Sequence, residues 1–523
     1  MRGSGLALAG IFALALAVRL LLIRQLAYPS WVDSYHHTII TQIILETGRV
    51  PANYYPYADL DRFLYHFGYH ADSAFLAWAT GLPAHRAVLW GGQVLNALTV
   101  PSLFFLVDRL AKDRRAALVA ALFAGLVCRM PAYYVNWGRY TQLAGQLLFP
   151  VALAVAAEAV LRPQPSWRAL LLAGLFAGGL AFTHYRVFIF YLVGMILLAG
   201  VALWRERRGE RRLAGQVWRL VAIGLIALAL VWPWLPALLA KTVSAAQQVL
   251  ATGDGGQYDY LTLDFVLGYG LRWGELSAAL LAALWLLGRA RRRPLGALVL
   301  LWLGLMFFLA NPVVSGMPSG FMPNGTVIVG LYLPAAVLVG LAAGDMGQRV
   351  ARALWGSRTL KICASLGWTL LALWGAQDML AHTLEPWYQL VTPADERAMA
   401  WVEAHTSPEA VFAVGTDFWL PSAATGSDAG YWLPYIAHRR TIVPPMIYIS
   451  EGDPSYVAEK QALLAPLAAS TTPKDLADAL RRSGATYIYV SNRTPRPWQA
   501  SLDEAAYFER LYEAEGVRVY HLK

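Results

Sequence analysis

The 523-residue chain has only two cysteines, Cys128 and Cys363, and both sit in or beside apolar runs. They offer no disulfide framework and no metal-ligand spacing. Charge is also scarce: 15% of residues are Asp, Glu, Lys or Arg, against 57% hydrophobic. A soluble fold of this length could not bury so much apolar surface, so the chain reads as a polytopic membrane protein. The net charge of +10 does not point to nucleic acid, because the cations are mostly arginines in short segments between apolar runs. No Walker loop, zinc-protease helix motif or nucleophile elbow occurs, which removes three familiar chemistries. No internal repeat is visible, which argues against an inverted-repeat transporter.

What is present is a series of apolar spans. About eleven stretches approach the ~20 residues needed to cross a bilayer: 5–23, 86–107, 115–131, 141–161, 168–183, 185–204, 217–240, 273–289, 295–311, 325–343 and 361–381. The first reads as an uncleaved helix rather than a signal peptide, since Arg19 is followed by LLLI. The segments DRLAKDRR, RPQPSWR, WRERRGERR, GRARRR and GQRVARALWGSRTLK follow alternate spans. They therefore fall on one side, which the positive-inside rule makes cytoplasmic. The expected setting is the plasma membrane of a prokaryote.

Two regions break the apolar pattern on the opposite side. The first is the outer loop 24–85. Within it Trp31–Asp72 holds four histidines, five acidic residues and six tyrosines. The second begins near 383, where strand-like runs (VFAV, RRTIVPP, TYIYVS, VRVYHL) alternate with helical patterns near 454–468, 473–482 and 499–514. Thr392 reads as an N-cap with Pro393 at the first helical position. The chain thus divides into a membrane domain, 1–382, and an extracytoplasmic α/β domain, 383–523, with a largely parallel sheet.

Candidate site residues gather at the outer face. Asp33, His36 and His37 fall within one helical turn and suit a general base or a divalent cation, Mg or Mn, with Asp33 and His37 as ligands. His66 and His70 share a helical face, as half a metal site would. Asp59-Leu-Asp61 has a spacing that can hold a cation against a diphosphate. Arg129, Arg139, His184 and Arg186 lie where the positive-inside bias disfavours cations, so a phosphate or carboxylate partner is expected. In GSDAGYWLPYIAHRRTIVPP, Asp428 and the arginines Arg439 and Arg440 mark a loop made to meet something. Plainer readings exist: Asp33 as a helix cap, SYHHTIITQIILETG as an amphipathic helix on the membrane surface, and the arginines as snorkelling to headgroups.

The combination DSYHH, GRVP, YHFGYH and an outer α/β domain resembles the GT-C glycosyltransferases. That resemblance implies transfer of a sugar from a polyprenyl-phosphate or polyprenyl-diphosphate donor to a glycan, lipid or protein acceptor outside the cytoplasm, by an inverting displacement. It implies that Asp33 is the acid of the first outer loop. SDAGYWLPYIAHRRTI is similar to the Trp-Trp-Asp-Tyr-Gly region of the oligosaccharyltransferase catalytic subunit, with Asp428, Gly430, Tyr431 and Trp432 in matching places. Asp428, Tyr431, Trp432 and Arg439 would then meet the substrate, as would His66, His70, Arg139, His184 and Arg186. Two positions depart: Gly426 and Ser427 replace the tryptophans, and Gln142 and Gln146 stand where a second acidic motif is expected. The alternatives are a lipid or polysaccharide transporter and an inactive assembly factor. The near absence of charge in mid-span opposes the transporter.

Overall fold

Apolar runs separated by arginine-rich segments become a bundle of helices, because a backbone in hydrocarbon must satisfy its own N–H and C=O groups. The structure, a computed structural model, describes residues 2–209, 213–241, 261–317, 321–353, 358–420, 423–494, 496–504 and 506–523. Most of the predicted outer loop 241–272, and parts of the loops at 210–212, 318–320 and 354–357, lie outside the described residues. Helix covers each predicted span. Among the described residues six helices are long and apolar enough to cross a membrane: Gly3–Leu22, Ala84–Ala111, Tyr140–Leu161, Tyr185–Arg207, Ala214–Lys241 and Asn324–Val350. The pair Leu263–Gly270 and Trp273–Leu287, bent by 98°, makes a seventh if it counts as one span. Trp167–Thr183 and Pro294–Ala310 are apolar but span 17 residues each. The predicted span at 115–131 is split between helix Arg114–Leu122 and a π-helix, Phe123–Val127.

The strands lie between 411 and 522. A five-stranded sheet runs in the order β4 (Arg440–Thr441), β1 (Val411–Ala413), β5 (Tyr487–Val490), β7 (Val517–Leu522), β6 (Phe508–Ala514). β1 is parallel to β4 and β5, whereas β7 is antiparallel to both β5 and β6. The sheet is therefore mixed, not largely parallel. The predicted helix over 499–514 is also corrected. A short helix ends at Ser501, and Glu515 and Gly516, both at positive φ, turn β6 into a hairpin with β7. A second hairpin, β2 (Thr416–Leu420) with β3 (Ala423–Gly426), was not expected. Thr392 does cap the helix Pro393–His405: its Oγ1 accepts from Asp395 N, and the Asp395 carboxylate accepts from Thr392 N at 2.9 Å.

Two cores result. One belongs to the helical bundle. The other joins the sheet to the first outer loop, packing Val32, Tyr35, Ile39 and Ile43 with Phe412, Tyr431 and Trp432. Helix Trp31–Thr47 is thus enclosed on several sides, with Tyr35, His36, His37, Ile39 and Ile40 all buried. The surface-helix reading is overturned, because that helix has no long polar face left for water.

Glu451 fastens these parts together. Its buried carboxylate accepts from Lys241 Nζ at 2.5 Å, Leu64 N at 2.5 Å and the Tyr54 hydroxyl at 3.2 Å. Its carbonyl accepts from Arg62 Nε at 2.8 Å. A buried ion pair adds little net stability over an apolar pair, but removing one partner strands the other. Glu451→Ala is therefore expected to destabilise the protein by about 3–5 kcal/mol in detergent unfolding measurements, with much of the loss recovered in Lys241→Met/Glu451→Met. A single variant within about 1 kcal/mol of wild type would refute this role.

Candidate active site

The site begins with a close approach between two loops that the sequence separates by a hundred residues. Gly138 closes the four-residue helix Tyr134–Trp137 at φ 66°, a conformation glycine adopts at least cost. A Cβ there would collide with Ser34 Oγ. That contact seats Arg139 beside the start of helix Trp31–Thr47, where its Nε donates to Asp33 Oδ2 at 3.1 Å. Burial raises the Asp33 carboxyl above its ordinary value, and the Arg139 charge partly opposes this. Asp33 is thus a stronger base than an exposed aspartate while remaining paired, which suits proton abstraction from a hydroxyl.

Behind this pair the predicted histidines do come together. His37 Nδ1 and His70 Nε2 are 2.9 Å apart, so one ring donates and the other accepts. The His36 and His37 rings meet at 4.3 Å, and His66 meets His184 at 4.7 Å. Tyr65 sits among them, stacked on His66 at 4.1 Å and edge-on to His36 at 5.5 Å. Gly68 makes the His66–His184 contact possible, since a Cβ there would lie 2.7 Å from Thr183 Oγ1. His36, His37, His66, His70 and His184 are all buried. Burial first, and neighbouring cations or imidazoles second, hold His36, His37, His66 and His184 well below the usual imidazole range. Burial brings His70 down to about 3. The rings are therefore neutral near pH 7. Both ring nitrogens of His36 and His66 have no hydrogen-bond partner among the described residues. Buried polar atoms in that state mark a place where a polar group binds.

One member was missed by sequence reasoning. The Lys241 ammonium lies 4.1 Å from the centre of the Tyr65 ring. Its charge bears on His36, His66, His70 and His184. Its signal was a lone lysine at the outer end of a span, in AKTVS, easily read as a span boundary. Arg186 bears on His184 electrostatically and stacks on Tyr185 at 5.2 Å. Arg129 stands apart, bound to Glu385 at 2.9 Å and to the Gly268 carbonyl at 2.9 Å.

Four predicted substrate contacts in the sheet region have other duties. Asp428 is fully buried and accepts from Gly415 N and Gly430 N, each at 3.0 Å, and from the Thr494 hydroxyl. Burial pushes its carboxyl up to about 6. Its lone pairs are spent on holding a turn. Tyr431 accepts from Met446 N at 2.7 Å and packs on Tyr35 at 4.7 Å. Trp432 meets Tyr35 edge-on at 5.4 Å. Arg439 donates to the Glu403 and Thr406 carbonyls and to Thr406 Oγ1. This segment therefore packs against the helix that carries Asp33. Asp59 and Asp61 are exposed and both accept from the Tyr55 hydroxyl.

Among the described residues no three His, Cys, Asp or Glu side chains could hold a metal ion together. Asp33 is engaged by Arg139 and His37 by His70, so among the described residues the proposed Asp33–His37 ligand pair has no third protein donor beside it.

Solved structures with this architecture are known. The archaeal oligosaccharyltransferase AglB from Archaeoglobus fulgidus, in complex with an inhibitory peptide and a dolichol-phosphate, is 12% identical with a TM-score of 0.58, over 99% of this chain and 74% of that one. ArnT from Cupriavidus metallidurans bound to undecaprenyl phosphate is 12% identical with a TM-score of 0.59, over 98% of this chain and 97% of that one. The arabinofuranosyltransferase AftD from Mycobacteria is 14% identical with a TM-score of 0.58, over 98% of this chain and 40% of that one. All three are GT-C glycosyltransferases, and this chain shares their fold. No curated protein matches the sequence. The model of a family of unknown function (DUF6541) matches residues 2–522.

The depressed histidines make stability depend on pH in a definite direction. The unfolded chain takes up protons on these rings below about pH 6.5, while the folded site excludes them. Stability is therefore expected to be level above about pH 6.5 and to fall as pH drops below it, by up to tenfold in the unfolding equilibrium per ring per pH unit. Thermal unfolding in detergent between pH 7.5 and 5 measures the slope, and His66→Gln should flatten it. An unchanged slope in that variant would show that His66 is not buried neutral.

Proposed function

The chain belongs to this family of unknown function, and we propose that it is a membrane glycosyltransferase acting at the outer face of a prokaryotic plasma membrane. In this reading the chain crosses about eleven times, and residues 383–523 form an extracytoplasmic domain closed over the first outer loop. A polyprenyl-phosphate or polyprenyl-diphosphate sugar enters from the bilayer. The observation that carries the reading is the convergence of Asp33, Arg139, five buried neutral imidazoles and Lys241 at the joint between bundle and sheet. Dolichol-phosphate and undecaprenyl phosphate in the AglB and ArnT structures support such a donor.

The reaction is an inverting single displacement. Asp33 accepts the proton of an acceptor hydroxyl, whose oxygen attacks the anomeric carbon. The bond between that carbon and the phosphate oxygen breaks, and the electron pair leaves with the lipid phosphate. Lys241, Arg139 and Arg186 oppose the charge that develops on the leaving group, and the unpartnered imidazole nitrogens donate to its oxygens. A divalent cation has no place in this scheme.

Transfer of a radiolabelled sugar from a panel of polyprenyl-phosphate donors, with purified protein in lipid, tests the proposal. Asp33→Ala is expected to lower kcat by about a hundredfold or more, as loss of a positioned base does. Lys241→Met should raise the donor KM. Full activity in Asp33→Ala would end the central assignment. A chelator is expected to leave transfer unchanged, and loss of activity on chelation would restore a metal to the mechanism.

A further inference from the structure

A strip of aromatic rings and guanidinium groups leads away from the Asp33–Arg139 pair, and beyond Arg139 itself nothing in the proposed reaction uses it. The Arg139 guanidinium lies 5.3 Å from the Trp137 ring, and Trp137 meets Tyr133 at 5.2 Å. Tyr133 meets Tyr388 at 6.4 Å, and Tyr388 meets Trp31 edge-on at 5.1 Å. The Arg493 guanidinium then bridges Trp31, at 5.9 Å, and Trp387, at 4.2 Å. The strip thus runs from the candidate base, through the buried Tyr133 ring, to the accessible Trp387 and a loop that follows β5.

Three details show that these rings are more than an interfacial belt. Trp31 holds φ at 65°, a strained conformation for a bulky residue, two positions before Asp33. Trp387 is 66% exposed although Arg493 covers one face. Arg493 Nε has no hydrogen-bond partner among the described residues. An aromatic belt anchors a protein to lipid around its perimeter. This strip instead joins residues of the bundle to one from the sheet region, and it ends at a catalytic carboxylate.

We infer that this strip is an acceptor subsite and that the acceptor is a carbohydrate chain. The inference rests on the glycosyltransferase reading for what happens at Asp33. A pyranose or furanose ring has a face of C–H groups carrying slight positive charge, which matches the negative face of an indole or phenol. Its rim of hydroxyl oxygens accepts hydrogen bonds in the ring plane, which the guanidinium N–H groups of Arg493 and Arg139 donate as fixed forks. A peptide would instead call for unpaired backbone partners, and a lipid tail would not use the guanidinium groups. Sugars of the acceptor stack along Trp31 and Trp387, and the terminal hydroxyl reaches Asp33.

The test is saturation-transfer NMR with the full chain in nanodiscs, using linear tetra- to hexasaccharides of arabinose, mannose, glucose and galactose as probes. At least one series is expected to bind, with Trp387→Ala weakening it about tenfold and Trp387→Phe retaining most of the affinity. Asp33→Asn should keep saccharide binding while losing transfer, which separates this subsite from the proposed chemistry. If Asp33→Asn remained active but Trp387→Ala still weakened binding, the subsite would stand and the catalytic reading would fall. No saturation transfer from any of the four series overturns the inference. So does equal binding by Trp387→Ala, or a response to a peptide or to undecaprenyl phosphate alone.

Discussion

A single buried carboxylate, that of Glu451, decides how the two halves of this molecule meet. It draws in an ammonium from the end of a span, an amide and a hydroxyl from the first outer loop, and it belongs to a short helix beside the sheet. Each of those groups is costly to bury alone, and together they satisfy one another. Because Lys241 is held there, its charge also faces the histidine cluster, so the joint between the halves and the electrostatics of the site share a residue.

The cluster itself is unusual in what it keeps uncharged. Five imidazoles in two touching groups, His36–His37–His70 and His66–His184, bridged by the Tyr65 ring, could not all be protonated in so dry a place, and burial keeps them neutral. Positive charge is left to Lys241 and the arginines at the edge. The arrangement offers an anion fixed cations at the rim and orientable N–H donors within. It does so without the pH sensitivity near neutrality that exposed histidines would bring.

Much of this was legible in the chain. The spans announced themselves by length and apolarity, and the arginine-rich loops gave a consistent orientation. Asp33, His36, His37, His66, His70, Arg139 and His184 were visible because polar residues crowded a segment that a bilayer protein could otherwise leave bland. Lys241 and Glu451 were not, since each is a single charged residue whose meaning depends on a partner 210 positions away. Asp428 shows the limit from the other side: a short motif looked chemical, and the sequence did not reveal that its carboxylate accepts from Gly415, Gly430 and Thr494. The helix expected over 499–514 failed because a two-residue turn at Glu515 and Gly516 outweighs local propensity.

The shared core of helix Trp31–Thr47 and the sheet has a consequence for biogenesis. Val32, Tyr35, Ile39 and Ile43 pack against Phe412 and Trp432, which leave the ribosome hundreds of residues later. At typical synthesis rates of ~5–20 residues per second, that interval is on the order of half a minute. During it the apolar side chains of helix Trp31–Thr47 lack the partners that cover them in the folded protein. Assembly of the catalytic end is therefore post-translational in character even though insertion is stepwise. A nascent chain stalled before β1 would leave Val32, Tyr35, Ile39 and Ile43 without the residues that cover them, an aggregation hazard that only the later part of the chain removes.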